Sequence, residues 1–337
     1  MRISRRLFTP SFALALAAPA LRPARAEASQ LRAAKQYGLG YLQLVLMEDL
    51  RLVEKHAQAA GLGAIEMTWA TFRSSDVMND ALISGTVDFV CLGLPGIATI
   101  WSRTRGNIDV RGAAGLNALP LYLLTRNPAV NGLRDFTDRD RIALPAVRVS
   151  MQAILLQMAC AREFGPANYG QLDRLTVSMA HPDGTAAMLS GGSEITAHFT
   201  SPPFHARQLQ NPAIRKLMTS TDILGGRVSF NVVAATNRFR TANPKLYDAF
   251  LAAFEEATQM INADKARAAE IYRRVTRDST PPEQLLALLN DPENVYTTDP
   301  LNIGQMVNFM AETGQIRVRP ERWQDLFFPN MHNRSGA

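Results

Sequence analysis

Cysteine is scarce: Cys91 and Cys160 are the two in 337 residues, far apart, each within an apolar segment. No disulfide framework is on offer, and two separate buried thiols are the expected state. Long apolar runs are missing as well. The early run from Phe12 to Leu21 is interrupted by Pro19 and falls short of the ~20 residues that span a bilayer, and later runs are broken by charge or glycine. Close metal-ligand pairs are also absent. His56, His181, His198, His205 and His332 include no H-E-x-x-H, and although His198 and His205 straddle the Ser201, Pro202, Pro203 turn, no cysteine or carboxylate joins them. No metal or cofactor is expected. Neither a G-x-S-x-G elbow nor a G-x-x-x-x-G-K phosphate loop occurs, which removes the usual grounds for a hydrolase or nucleotidase.

What is present begins at the first residue. Ser4, Arg5, Arg6, Leu7 and Phe8 fit a twin-arginine export signal. The run to Leu21 follows, and Ala24, Arg25 and Ala26 supply small-x-small residues, so cleavage is expected before Glu27. This leader (1–26) holds Arg2, Arg5, Arg6, Arg22 and Arg25 with no acid to offset them. Taking these five from the formal +6 leaves +1, too little for a nucleic-acid footprint. Removing 26 residues from 337 leaves 311, a length at which one core usually divides into two.

The mature chain alternates short apolar runs with helical patterns. Strands are predicted at 31–37, 64–70, 87–92 and 109–114, with helices at 42–60, 76–83 and 96–103 between them, which reads as a parallel, doubly wound sheet. Residues 120–125 read as a crossing into a second lobe with strands at 141–144, 175–179 and 195–199 and a helix at 151–164. A strand at 227–236 reads as the return crossing, followed by helices alone at 244–263, 265–275, 282–290, 303–313 and 321–326. Asn243 as N-cap and Pro244 at the first helical position mark the longest of these, and Thr280 with Glu283 reads as a capping box. The expected domains are the leader, lobe one (27–120 plus 236–337) and lobe two (121–235).

Three phrases carry a resemblance: ALISGTVDFVCLGLPG (81–96), VSMQAILLQMACAREFG (149–165) and AAMLSGGSEITAHFTSPPF (186–204). The order of elements and these phrases resemble the periplasmic substrate-binding proteins of nitrate, sulfonate and taurine ABC importers, a family that also includes binders of thiamine-pyrimidine precursors. The resemblance implies an α/β fold of the type II periplasmic-binding kind, two lobes joined by a hinge and closing on a small ligand. It also implies a monomer that meets an ABC permease at the inner membrane, with no catalysis and no nucleic acid. Enzymes of pyrimidine synthesis that share the fold carry a cysteine-rich motif, whereas Cys91 and Cys160 stand alone here. Two other classes stay open on the residues themselves: an exported enzyme using the same cleft, and a sensory module that binds solute without feeding a permease.

In open α/β sheets ligands lie beyond the carboxyl ends of strands, where helix N-termini offer free amides. That rule selects Gly40, Tyr41, Thr71, Gly93, Pro95 and Asn117 in lobe one. In lobe two it selects Arg148, Ser150, Met151, Gln152, Thr200 and Ser201. The Ser150 hydroxyl with the amides of Met151 and Gln152 suits a sulfonate, carboxylate or nitrate oxygen, or serves as an ordinary N-cap. Arg148 offers bidentate charge or a solvated ion pair. Tyr41, read as a loop residue, offers a stacking face for a planar heterocycle, and Trp69 reads as core.

Overall fold

The computed structural model describes residues 27–334, and the leader (1–26) lies outside the described residues. The chain begins β1 (Gln30–Lys35), α1 (Leu42–Asp49), α2 (Leu52–Ala59), β2 (Glu66–Thr71), α3 (Ser75–Ile83), β3 (Phe89–Gly93), α4 (Leu94–Thr104) and β4 (Val110–Ala118). A second group follows: β5 (Tyr122–Thr125), β6 (Ile142–Leu144), α5 (Met151–Phe164), β7 (Thr176–Ser178), α6 (His181–Ser190), β8 (Ala197–Thr200), α7 (Phe204–Gln208), β9 (Arg215–Thr219) and α8 (Ser220–Leu224). The chain ends in β10 (Asn231–Thr236), α9 (Asn237–Ala242), α10 (Pro244–Ala263), α11 (Lys265–Thr276), α12 (Pro282–Asn290), β11 (Val295–Tyr296) and α13 (Gly304–Glu312).

Two sheets result. The first has the order β11-β4-β10-β3-β1-β2, and the second β7-β6-β8-β5-β9. β1, β2 and β3 run parallel, as the alternation of strand and helix requires, but β10 lies antiparallel between β3 and β4. The sheet is therefore mixed rather than wholly parallel, and the strand read as a return crossing belongs to the first sheet. β5 likewise pairs antiparallel with β8 and β9, so a segment read as a connection is a strand of the second sheet.

β3 is buried along its whole length because helices cover both faces of the sheet. Its Phe89 ring stacks on Phe250 of α10 at 3.9 Å between centroids, a contact worth ~1 kcal/mol beyond area burial. Just before β3, Asp88 accepts from the Arg32 amide at 2.9 Å and from its guanidinium at 3.0 and 2.8 Å, which ties β3 to β1. Two segments connect the sheets and bond to each other. Leu121 N donates to Ser220 Oγ (2.9 Å) and Ser220 N to Leu121 O (2.8 Å).

Local departures from the sequence reading have local causes. The single helix expected over 42–60 breaks at Arg51, whose φ of 52° is left-handed, which separates an α1 buried over most of its length from an amphipathic α2. The Thr280 capping box does not form. The helix starts at Pro282, as read, but with Pro281 rather than Thr280 at the N-cap. The tail carries the short strand β11 as well as helices, and 323–326 is a 3-10 turn. Cys91 and Cys160 are both buried and unpaired.

The long helix α10 is capped from an unexpected place. Asn243 turns its side chain to accept from Ala28 N (2.8 Å), while the Glu27 carboxylate accepts from Lys245 N (3.1 Å) and Leu246 N (2.8 Å). A carboxylate there answers both the orphan amides and the positive end of the helix dipole. Glu27→Ala is expected to cost about 1 kcal/mol of unfolding free energy, with Glu27→Gln intermediate. Urea denaturation of the chain beginning at residue 27 checks it, and an unchanged midpoint would refute the cap.

Candidate functional site in the seam between the two sheets

Residues from both sheets meet along one seam. From the first come Gln36 and Tyr37 beyond β1, Tyr41, Ser75 at the start of α3, Gly93 at the end of β3, and Phe230 with Asn231 at the start of β10. The second contributes Pro145 beyond β6, Ser150, Met151 and Gln152 at the start of α5, and His181 at the start of α6. The space they enclose is ≈ 20 Å³, room for about one water molecule. Gln36 and Tyr37 also line a larger opening of ≈ 460 Å³, shared with Lys35, Thr71, Phe204 and Arg207.

The α5 N-terminus supplies the donors. Ser150 is its N-cap: Oγ accepts from Ala153 N (3.2 Å) and donates to Ala146 O (2.8 Å). Its hydroxyl therefore serves the helix, and among the described residues no acceptor takes the amides of Met151 and Gln152. Opposite them, Gly93 leaves a close approach, since a Cβ there would stand 3.4 Å from Met151 Cβ. Asn231 joins through its side chain, accepting at Oδ1 from the Tyr41 hydroxyl (3.3 Å) and donating from Nδ2 to Gly40 O (3.1 Å).

Of the residues selected from sequence, Tyr41, Gly93, Ser150, Met151 and Gln152 line the seam. Tyr41 is not in an open loop. It closes a 3-10 turn at 3% exposure, with its hydroxyl engaged. Gly40 and Asn117 stand behind the wall, where Asn117 Nδ2 donates to Gly40 O at 2.7 Å. Pro95 is inside α4, Thr71 lines the larger opening, Thr200 lies behind His181, and Ser201 packs against Gly38. Arg148 points elsewhere: its left-handed backbone (φ 64°) turns a 73% exposed side chain toward Asp173, 3.7 Å away, in an outer hollow with Thr99 and Tyr169. Among the described residues, no Lys or Arg lines the seam.

Sequence reasoning passed over Gln36, Tyr37, Ser75, Pro145, His181, Phe230 and Asn231. Asn231 carried a signal, as a lone amide heading an apolar strand. His181 was hidden because α6, holding Pro182 and Gly184, has little amphipathic pattern.

The NMT1-like family model matches residues 32–276. The chain belongs to the NMT1-like family. By sequence it matches no curated protein. Among solved structures, it is similar to the alkanesulfonate-binding protein SsuA from Xanthomonas axonopodis pv. citri bound to MOPS, at 18% identity over 88% of this chain and 96% of that one, with a TM-score of 0.69. The periplasmic aliphatic sulphonate binding protein SsuA from Escherichia coli is 18% identical over 89% and 92%, with a TM-score of 0.64. For the periplasmic nitrate-binding protein NrtA from Synechocystis PCC 6803 the figures are 14%, 77% and 69%, and 0.59. These likenesses show the fold, the two-lobed α/β architecture of type II periplasmic-binding proteins.

In this NMT1-like chain the seam is backed by a buried histidine cluster. His198 faces His181, at 3.1 Å between Nε2 and Nδ1. His205, also near His181, stacks on Tyr122 with centroids 4.2 Å apart, and neither of its ring nitrogens has a partner. Gly184 makes room for the cluster, since a Cβ there would lie 2.8 Å from the His198 ring. Among the described residues, no group of three or more His, Cys, Asp or Glu is arranged to hold a metal.

Burial pushes His198 and His205 down to about 3 and His181 well below the ordinary range, the last also through its imidazole neighbours. The unfolded chain binds protons at these positions below pH ~6.5 while the folded chain does not, so their contribution to stability is full above that pH and shrinks as pH falls toward 3. Melting temperature is expected to drop steadily from pH 6.5 to 4, with a shallower slope in His198→Gln. An identical slope in that variant would count against a neutral buried cluster.

Proposed function

We propose that this protein is the solute-binding component of an ABC-type importer, exported by the twin-arginine route to the periplasm and cleaved before Glu27. One lobe is built on the first sheet, from residues 27–120 and the chain from β10 onward. The segment between them builds the second lobe. A small solute binds in the seam, the lobes close on it by hinge motion at the two bonded crossings, and the closed monomer meets its permease. The reading needs no catalysis and no cofactor.

The observation that carries it is the origin of the seam's groups. Tyr41, Gly93 and Asn231 come from one sheet and Met151, Gln152 and His181 from the other, so the site is complete only when the lobes meet. The α5 amides together with Gln152 suit the acceptor oxygens of a sulfonate, taurine or nitrate. The Xanthomonas relative, whose structure contains MOPS, makes a sulfonate the first solute to try. The larger opening is of a size to take the rest of the molecule. A second reading, a planar heterocycle such as a pyrimidine, is favoured by Tyr37, 41% exposed on that opening, and by Phe230 in the seam.

Thermal-shift screening of the chain beginning at residue 27 against taurine, alkanesulfonates, nitrate and pyrimidines is expected to give a stabilising ligand, with a smaller radius of gyration by X-ray scattering on binding. No shift and no compaction across that panel would refute the receptor reading. Gly93→Leu, which wedges the lobes at Met151, is expected to weaken the ligand found by about tenfold or more, near 1.4 kcal/mol, with the fold retained by circular dichroism.

A further inference from the structure

A line of buried polar side chains runs from the interior of the second lobe to the seam. Gln208 is fully buried and begins it: its Nε2 lies 3.0 Å from His198 Nδ1, 3.3 Å from Phe204 O and 3.1 Å from Thr185 Oγ1. His198 Nε2 is 3.1 Å from His181 Nδ1, which also lies 3.4 Å from Thr200 Oγ1, and His181 Nε2 is 3.1 Å from Nε2 of Gln152 as its amide is placed, a side chain 2% exposed. Gln152 ends the line beside the α5 amides.

The polarity of this line follows from its inner end. A backbone carbonyl only accepts, so Phe204 O requires the nitrogen of the Gln208 amide. Turning that amide over would set two oxygens together and leave an NH2 where Oε1 now lies without a partner. With Gln208 donating, His198 Nδ1 accepts, and a neutral His198 carries its proton on Nε2. That proton goes to His181 Nδ1, so a neutral His181 carries its own proton on Nε2. The group facing it must then accept, which requires Gln152 Oε1 on that side and places the Gln152 NH2 toward the seam. Oxygen and nitrogen of an amide are assigned by such networks, and with both rings neutral and the Phe204 carbonyl fixing Gln208 as donor, this one requires the Gln152 amide to be turned over from its placed orientation. Burial keeps both rings neutral at pH 7.

We infer that Gln208, His198 and His181 act as positioning residues which turn Gln152 so that the N-terminus of α5 presents donors to the seam, selecting a solute whose facing group only accepts hydrogen bonds. The donors are the Gln152 NH2 and the amides of Met151 and Gln152. A sulfonate, carboxylate, nitrate or ring carbonyl satisfies them, and an amidine, ammonium or N–H edge does not. This specificity rests on the solute-binding reading, while the polarity of the line does not.

Long-range ¹H–¹⁵N correlation spectra of the ¹⁵N-labelled protein report each imidazole tautomer directly. At pH 7 both His198 and His181 are expected as neutral Nε2–H tautomers, and either one found as Nδ1–H or as imidazolium overturns the inference. Gln208→Met removes the inner donor, and the His181 tautomer is expected to shift although residue 208 touches neither His181 nor the seam. An unchanged His181 spectrum in the folded variant overturns the coupling, and should the variant not fold, the wild-type tautomers decide. Methanesulfonate and acetamidinium then serve as acceptor-only and donor-only probes, with methanesulfonate expected to bind the wild-type protein at least about tenfold tighter. Equal affinity overturns the donor-only face. The expected tautomers with neither probe binding would support the polarity and overturn the solute-binding reading instead.

Discussion

The carbonyl oxygen of Gly40 holds the first sheet's wall of the seam in place. It accepts from Asn117 on β4 and Asn231 on β10, so the turn after β1 is pinned to two strands that lie far from it in sequence. Around it, Tyr296 donates to Leu39 O at 3.0 Å, Gln43 to Leu116 O at 2.5 Å, and Leu39 N to Pro202 O at 3.0 Å, the last from one lobe to the other. A side chain at residue 40 has no place, since its Cβ would stand 2.9 Å from both Asn231 Nδ2 and the Phe230 ring. Tyr41 and Asn231 face the seam because this turn cannot move without breaking several buried hydrogen bonds together.

How much of this was legible in the chain varied with the kind of signal. The apolar β3, the long α10 and the α5 start at Ser150 announced themselves through periodicity, length and capping, and each lies within a residue or two of its reading. Strand direction was not legible. β10 is apolar like its neighbours, and nothing in Asn231–Thr236 says that it runs against them. Arg148 was the natural choice for an anion partner, but its side-chain direction depends on a left-handed turn that residue types alone do not specify. His181 and His198 are separated by a helix and a strand, so only the tertiary fold brings them together.

The result is a site rich in hydrogen-bond donors and poor in formal charge. With Arg148 facing outward, the polar groups that line the seam are helix amides, amide side chains and one buried imidazole. Such groups are costly to leave unmatched and directional when matched, which favours discrimination by shape and hydrogen-bond sense over simple attraction of an anion. The nearest buried cation, Lys35, is already committed to Glu48 and lies 5.3 Å over the Trp69 ring.

The seam as it stands leaves space for about one water molecule, and bonds join its two sides beyond the site itself, from Gln315 to Gln157 (3.0 Å) and from Gln284 to Ala206 O (3.2 Å). These bonds must break before the lobes can part, so for a solute seated against the α5 N-terminus as proposed, the opening of the lobes would add to its own contacts in setting how long it stays.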